Sequence, residues 1–76
     1  VSQNERTRLV QNAILSLPEA RRAVLVLREY EGLSYQEISS TLDIPLGTVM
    51  SRLNYARNTL KAKLQPQLSL LEVEHV

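Results

Sequence analysis

The stretch GLSYQEISSTLDIPLGTVMSRLNYAR, residues 32–57, contains two helical patterns separated by a tight turn. Its segment SYQE has the form of a capping box, in which Ser34 and Glu37 each accept a hydrogen bond from the backbone N–H of the other. The box predicts a short helix over 34–41, which ends before Pro45 because a residue preceding proline is disfavoured in the helical region. A longer helix is predicted from about 45 to 64, with Pro66 just beyond its end. A short capped helix, a turn and a longer helix are typical of a helix-turn-helix motif.

Two further helices are predicted before this stretch, because apolar residues recur there at helical spacing. The first spans about 3–16 and the second 18–31, where Pro18 suits a first helical position and Gly32 a left-handed residue just past the end. No segment alternates with a period of two, so we predict an all-α, four-helix domain over 1–64 and a loosely ordered tail over 65–76. The predicted inward-facing residues of the first two helices are Leu9, Val10, Ala13, Ile14, Leu17, Ala20, Ala23, Val24, Leu27 and Tyr30, and those of the other two include Ile38, Val49, Leu53 and Leu60.

Length and composition exclude several classes of protein. Seventy-six residues suffice for one small core. The chain has no cysteine, which excludes disulfides, cysteine-based zinc sites and thiol catalysis. No apolar run approaches the roughly 20 residues of a membrane span, and no signal-peptide pattern is present. Because the single histidine, His75, lies in the tail and no carboxylate pair has catalytic spacing, we expect neither an enzyme nor a metal or other cofactor site.

Charge is distributed unevenly although the net charge is only +1. Residues 31–45 carry three acidic residues and no basic one, whereas 46–64 carry four basic residues and no acidic one. A solvated helix usually mixes both signs, so the fourth helix is predicted to present a positive face to a polyanion. The arginines of the first two helices, Arg6, Arg8, Arg21 and Arg22, are interpreted as solvated surface residues.

The fourth helix divides into two faces at 100° per residue. One apolar stripe is formed by Val49, Leu53, Ala56, Leu60 and Leu64. The opposite face and its flanks carry Thr48, Ser51, Arg52, Asn54, Tyr55, Asn58 and Lys61. In a helix-turn-helix the second helix enters the major groove, where small and amide side chains meet bases and flanking donors meet phosphates. Gly47 permits close approach of the backbone to a phosphate or to the preceding helix.

The segment LPEARRAVLVLREYEGLSYQEISSTLDIPLGTVMSRLNYARNTL, residues 17–60, closely resembles region 4, the C-terminal domain of bacterial RNA polymerase sigma factors, and most closely the extracytoplasmic-function group. The resemblance covers roughly residues 5–64, and its most specific parts are LP, GLSYQEIS and GTVMSRLNYAR in order. It implies a four-helix domain that binds the promoter minus-35 element through its last helix, docks on the flap of the polymerase beta subunit and is bound by an anti-sigma factor. It also implies a bacterial, cytoplasmic protein that acts at the nucleoid.

The predicted DNA-contacting residues follow from the exposed face and from the resemblance together. Thr48, Ser51, Asn54 and Tyr55 are the predicted base-reading residues, and Gly47, Arg52, Arg57, Asn58 and Lys61 the predicted backbone contacts. Family members often carry a basic residue at the position of Met50 and an arginine at that of Tyr55, so we expect a promoter preference that departs from the usual one. Arg52 and Arg57 either meet phosphates or form internal ion pairs.

A partner groove is predicted on the second helix, whose apolar surface is wider than one packing face requires. Its lining would be Leu25, Val26, Leu33 and Tyr35, which either receive a helix of a partner or simply pack in the core. Two alternatives to the sigma-factor interpretation are a response-regulator DNA-binding domain and a helical protein-interaction module. The chain starts with Val1 rather than methionine, which suggests a piece of a longer protein.

Overall fold

Four α-helices make up the fold of the computed structural model, which describes the backbone of residues 3–75 and the side chains of 4–66. They are α1 (Gln3–Leu15), α2 (Glu19–Glu29), α3 (Tyr35–Leu42) and α4 (Leu46–His75). No strand occurs within residues 3–75. The predicted all-α, four-helix architecture is therefore confirmed, and the predicted boundaries hold within two residues everywhere except at the end of α4.

The capping box at the start of α3 is present as the sequence predicts. The Ser34 backbone N–H donates to Glu37 Oε1 at 2.8 Å, and the Glu37 N–H donates to Ser34 Oγ at 3.0 Å. At the end of α2, Gly32 adopts a φ of 71°, which glycine reaches without steric cost. The Leu33 N–H then donates to the Leu27 carbonyl at 3.0 Å, closing the last turn of α2.

The turn between α3 and α4 depends on Asp43 as well as on Pro45. Asp43 adopts the left-handed conformation, with φ 55° and ψ 51°. The reversal brings the Ile44 N–H to the Ser39 carbonyl at 3.1 Å, and the Ser39 hydroxyl donates back to the Ile44 carbonyl at 2.5 Å. Proline thus prevents the helix from continuing, whereas these two hydrogen bonds fix the direction in which α4 starts.

The core lies where α4 packs against each of the other three helices. Val24, Ile38, Val49 and Leu53 are at most 1% exposed, as predicted, and Ala13, Ile14, Leu17, Leu25 and Ala56 are buried with them. Leu27 and Leu60 are half-buried and pack against this cluster. The prediction is wrong for Ala20 and Tyr30, which are exposed: Ala20 lies in the first turn of α2 and Tyr30 just past its last residue, at the two ends of the helix.

The fourth helix is longer than predicted. Its backbone continues past Leu64 and across Pro66 to His75, over 30 residues. A proline removes one helical hydrogen bond and crowds the preceding turn, but the remaining local bonds of the helix are retained here. The principal extents of 46 × 19 × 17 Å reflect a helix about 45 Å long at 1.5 Å per residue. The side chains beyond Pro66, including His75, lie outside the described residues, so the loose ordering of the tail stays a prediction.

Candidate nucleic-acid interface

The outward face of α4 begins directly after the α3–α4 turn. Val49, Leu53 and Ala56 are at most 1% exposed and anchor one side of the helix in the core. The side chains on the opposite side are open: Ser51, Asn54, Tyr55, Asn58 and Lys61 are exposed, and Thr48 and Arg52 are half-buried. The sequence-predicted polar face is thus presented to solvent as one continuous surface, and we refer to these seven residues as the α4 polar face.

Ser51 uses its hydroxyl proton within the helix. Its Oγ donates to the Thr48 carbonyl at 3.2 Å, one turn earlier. A hydroxyl has one donor and two acceptor positions, so Ser51 still presents acceptor lone pairs to solvent. In the major groove those lone pairs match the amino groups of adenine and cytosine rather than the acceptors of guanine and thymine.

Tyr55 is half-exposed and carries an arginine on its ring. The Arg21 guanidinium carbon lies 3.4 Å from the centroid of the Tyr55 ring, a cation–π contact between α2 and α4. From the sequence, Arg21 is expected to be a solvated surface residue, with no sign of its contact with Tyr55. The exposed aromatic on a basic helix was the only signal, and it does not reveal which distant arginine covers the ring.

Two of the four basic residues on α4 form an ion pair or a hydrogen bond with another part of the domain. Arg57 forms an ion pair with Glu29 on α2, with Nη2 and Oε1 2.7 Å apart. Hydrogen bonding to the Glu29 carboxylate raises the pKa of Arg57, with a smaller contribution from Tyr35. Lys63 donates to the Ser16 hydroxyl at 2.5 Å. Of the two roles left open for Arg57, the structure shows the internal ion pair.

Arg52 and Lys61 have no hydrogen-bonding or charged partner among the described residues. The same holds for the N–H groups of Leu46 and Gly47, whereas the N–H groups of Thr48 and Val49 donate to the Pro45 carbonyl. These free donors at the start of α4 can bind an anion. A Cβ on Gly47 would meet nothing within 4 Å, so its lack of a side chain is not needed for packing against α3. Of the two predicted roles of Gly47, only approach to a phosphate is left.

Comparison with known proteins assigns most of the chain to a family. A family model described as sigma-70, region 4, matches residues 7–60. The chain belongs to the sigma-70 region 4 family. It is similar to the ECF RNA polymerase sigma-E factor of Haemophilus influenzae (44% identity over 63 residues, covering 83% of this chain and 33% of the relative). It is also similar to the ECF RNA polymerase sigma-E factor of Escherichia coli K12 (47% over 62 residues, 82% and 32%). The chain thus spans about a third of the length of these relatives.

The four residues predicted to line a partner groove do not all line the cleft described for this region 4 domain, and the groove stays a prediction. Leu25 is 3% exposed and faces a cleft between α1, α2 and α4, together with Val10, Ile14, Tyr30 and Leu60. Val26, Leu33 and Tyr35 do not line this cleft; they are half-buried and pack against the core. Arg28 lies over the Tyr35 ring at 4.9 Å and donates to the Leu33 carbonyl at 2.9 Å. The cleft beside Tyr30 therefore offers an apolar surface that is open to solvent.

Neither a bilayer-spanning segment nor a metal site is found in the described part of this region 4 domain. No helix there is sufficiently long and apolar to cross a membrane. No group of three histidine, cysteine, aspartate or glutamate side chains there could hold a metal ion.

Proposed function

We propose that this region 4 domain recognises the minus-35 element of bacterial promoters by placing the α4 polar face in the major groove. The observation that carries the proposal is the separation of α4 into a buried apolar stripe and an exposed polar face that has no acidic residue from 46 to 64. Family membership supports a role in promoter recognition. A surface of this kind meets the requirements of a recognition helix, which needs amide and hydroxyl groups for bases and cations for phosphates.

The proposed contacts divide by chemistry. Asn54 is exposed and can make a bidentate contact with N6 and N7 of adenine, and Ser51 can accept from a base amino group. Lys61 and the free N–H groups of Leu46 and Gly47 are suited to phosphate oxygens. Thr48, Arg52 and Asn58 border these residues on the α4 polar face and complete the proposed DNA-contacting surface.

The domain is also proposed to dock on RNA polymerase, on the flap of the beta subunit, and thereby to direct transcription initiation. The named relatives are RNA polymerase sigma factors, which supports this partner. A module of this size makes few phosphate contacts and binds DNA weakly alone, so tethering to polymerase is needed to raise its effective concentration at a promoter. The cleft beside Tyr30 offers polymerase or an anti-sigma factor an apolar surface. The proposed place of action is the bacterial cytoplasm, at the nucleoid.

Selection of duplexes from a random pool with the purified chain tests the proposal. We expect enrichment of one short element and a binding constant that falls steeply with salt. Lys61→Gln should weaken binding to every duplex and reduce the slope of log K against log salt by roughly one unit. A pool that shows no enrichment at any salt concentration would favour a protein-interaction module instead.

A further inference from the structure

We propose that Arg21 of α2, held on the ring of Tyr55, is a DNA phosphate contact of this domain, and that Tyr55 positions Arg21 instead of reading a base. The inference rests on the proposed function, since it assigns a further contact to the same interface. It replaces the expectation that Tyr55 reads a base.

The stacked geometry leaves the hydrogen-bonding edge of Arg21 free. At 3.4 Å from the ring centroid, the guanidinium carbon is at stacking distance from Tyr55. A guanidinium that stacks by its face still directs its N–H donors outward in its own plane. Such an edge matches two oxygens of a phosphate. The ring already limits the motion of the Arg21 side chain, so phosphate binding costs less side-chain entropy.

Arg21 differs from Arg22, Arg28 and Arg57 in having no acceptor. Arg22 donates to the Leu15 carbonyl at 3.0 Å, and Arg28 donates to the Leu33 carbonyl at 2.9 Å. Arg57 is paired with Glu29 at 2.7 Å. Among the described residues, the guanidinium of Arg21 has no hydrogen-bond acceptor and no carboxylate partner, and it lies over the Tyr55 ring.

The position of Tyr55 on α4 favours a phosphate over a base. Relative to the buried stripe, Ser51 points almost directly outward, whereas Tyr55 is turned by about 40° towards the side of Arg52. Arg21 reaches Tyr55 from α2, a helix outside the helix-turn-helix, and so widens the basic surface at this flank. Donors on the flanks of a recognition helix are placed for the sugar–phosphate strands that border the groove.

Salt-dependent binding of a selected duplex by four variants tests the assignment. Arg21→Gln should weaken binding to all duplexes alike and lower the salt slope by roughly one unit. Tyr55→Phe keeps the ring and should bind like the parent, whereas Tyr55→Leu should lose affinity towards the level of Arg21→Gln. The double variant Arg21→Gln/Tyr55→Leu should bind no worse than Arg21→Gln alone, because both changes remove one contact. Arg21 is half-buried and Tyr55 is exposed, so neither change touches the core, and thermal melting checks that each variant is folded.

Lys63→Gln is the matched control. It removes one positive charge from α4, but Lys63 donates to Ser16 on the α1 side, so the salt slope should equal that of the parent. A slope for Arg21→Gln equal to that of the parent overturns the phosphate contact. A changed base preference in Tyr55→Leu that persists in the Arg21→Gln background overturns the positioning role of Tyr55. Failure of the parent to bind any duplex overturns the proposed function itself.

Nuclear magnetic resonance of the free domain gives a readout that does not depend on DNA. Protons held over an aromatic face are shielded, so the Arg21 side-chain methylene resonances next to the guanidinium should lie upfield of those of Arg6 and Arg8. Tyr55→Leu should abolish this shift and Tyr55→Phe should keep it. Arg21 resonances at the same positions as those of Arg6 and Arg8 in the parent would overturn the stacked arrangement.

Discussion

At the scale of single residues, the backbone of α4 restricts what its exposed side chains can do. The hydrogen bond from Ser51 to the Thr48 carbonyl consumes the donor of the hydroxyl and leaves acceptor positions outward. A serine hydroxyl can in general donate or accept a hydrogen bond, but Ser51 is thereby biased towards bases that donate. The helical spacing alone predicts Ser51 as a base-reading residue. Its preference for bases that donate depends on the hydrogen bond to Thr48, which the sequence does not indicate.

Ser51→Ala should relax the base preference at one position of the selected element. The expected parental preference there is adenine or cytosine, whose amino groups donate in the major groove. Loss of one neutral hydrogen bond corresponds to about 0.5–1.5 kcal/mol of discrimination. Duplex selection with parent and variant measures it, and an unchanged preference at every position would place Ser51 off the bases.

Asp43 is the second residue whose role is local. It is the one non-glycine residue with a positive φ in the described part of the chain, at 55°. Asp43→Gly removes the steric cost of this conformation but gives the unfolded chain more freedom, so we expect a net gain of about 0.5–1 kcal/mol in the free energy of unfolding. Asp43→Ala should be destabilising, because alanine has no polar side chain to support the left-handed conformation. Urea denaturation compares the two, and equal stability of both variants would contradict the argument.

At the scale of elements, the capping box ties the stability of α3 to pH. Hydrogen bonding to Ser34, first through its backbone N–H and then through its side chain, lowers the pKa of Glu37 below its ordinary value of 4.5. The unfolded chain therefore binds this proton more tightly than the folded one. The stabilisation is complete above pH 4.5 and is lost as pH falls through the folded-state pKa.

Glu37→Gln tests this dependence, because glutamine keeps the capping hydrogen bond without titrating. At neutral pH the parent should be more stable than the variant, and the difference should shrink as the pH falls below 4.5. Urea denaturation at a series of pH values measures it. A difference that stays constant into strong acid would show that the carboxylate charge contributes nothing to the cap.

The elements differ in how far their limits could be predicted. The start of α3 and the end of α2 follow from a capping box and a glycine, which are local signals within a few residues. The end of α4 could not be predicted in the same way, because Pro66 disfavours a helix without excluding it. Ala20 and Tyr30 were predicted inward from spacing alone, but they lie at the two ends of α2, where spacing does not show how far the neighbouring helices extend.

At the scale of the whole molecule, the largest fully buried side chain of α4 is that of Leu53. Leu53 is 1% exposed, and Leu53→Asp would bury a charge without a partner in a domain of marginal stability. We expect this variant to be unfolded, and Leu53→Ala to lose about 2–5 kcal/mol. Asn54→Asp is the control, since it adds the same charge at the adjacent exposed position and should keep the fold. Circular dichroism melting measures all three, and a cooperative, near-parental melt of Leu53→Asp would contradict the predicted inner face.

The α4 polar face and the buried stripe of α4 could both be predicted, because both follow from the helical period of this one segment. Pairs that join distant segments were not predictable. The contacts between Arg21 and Tyr55, Arg57 and Glu29, and Lys63 and Ser16 each join two helices, and nothing local to either residue indicates its partner. Charge counted along the sequence therefore overstates the number of cations that α4 has available.

This internal pairing has a kinetic consequence. With Arg57 and Lys63 engaged inside the domain, few cations are left to hold a duplex, and weak complexes differ from strong ones mainly in how fast they dissociate. The domain alone should therefore leave any given site quickly and sample many sites in succession. Residence at a promoter would then be set by the larger assembly that carries the domain, and the same short dwell time would let α4 release DNA once that assembly moves on.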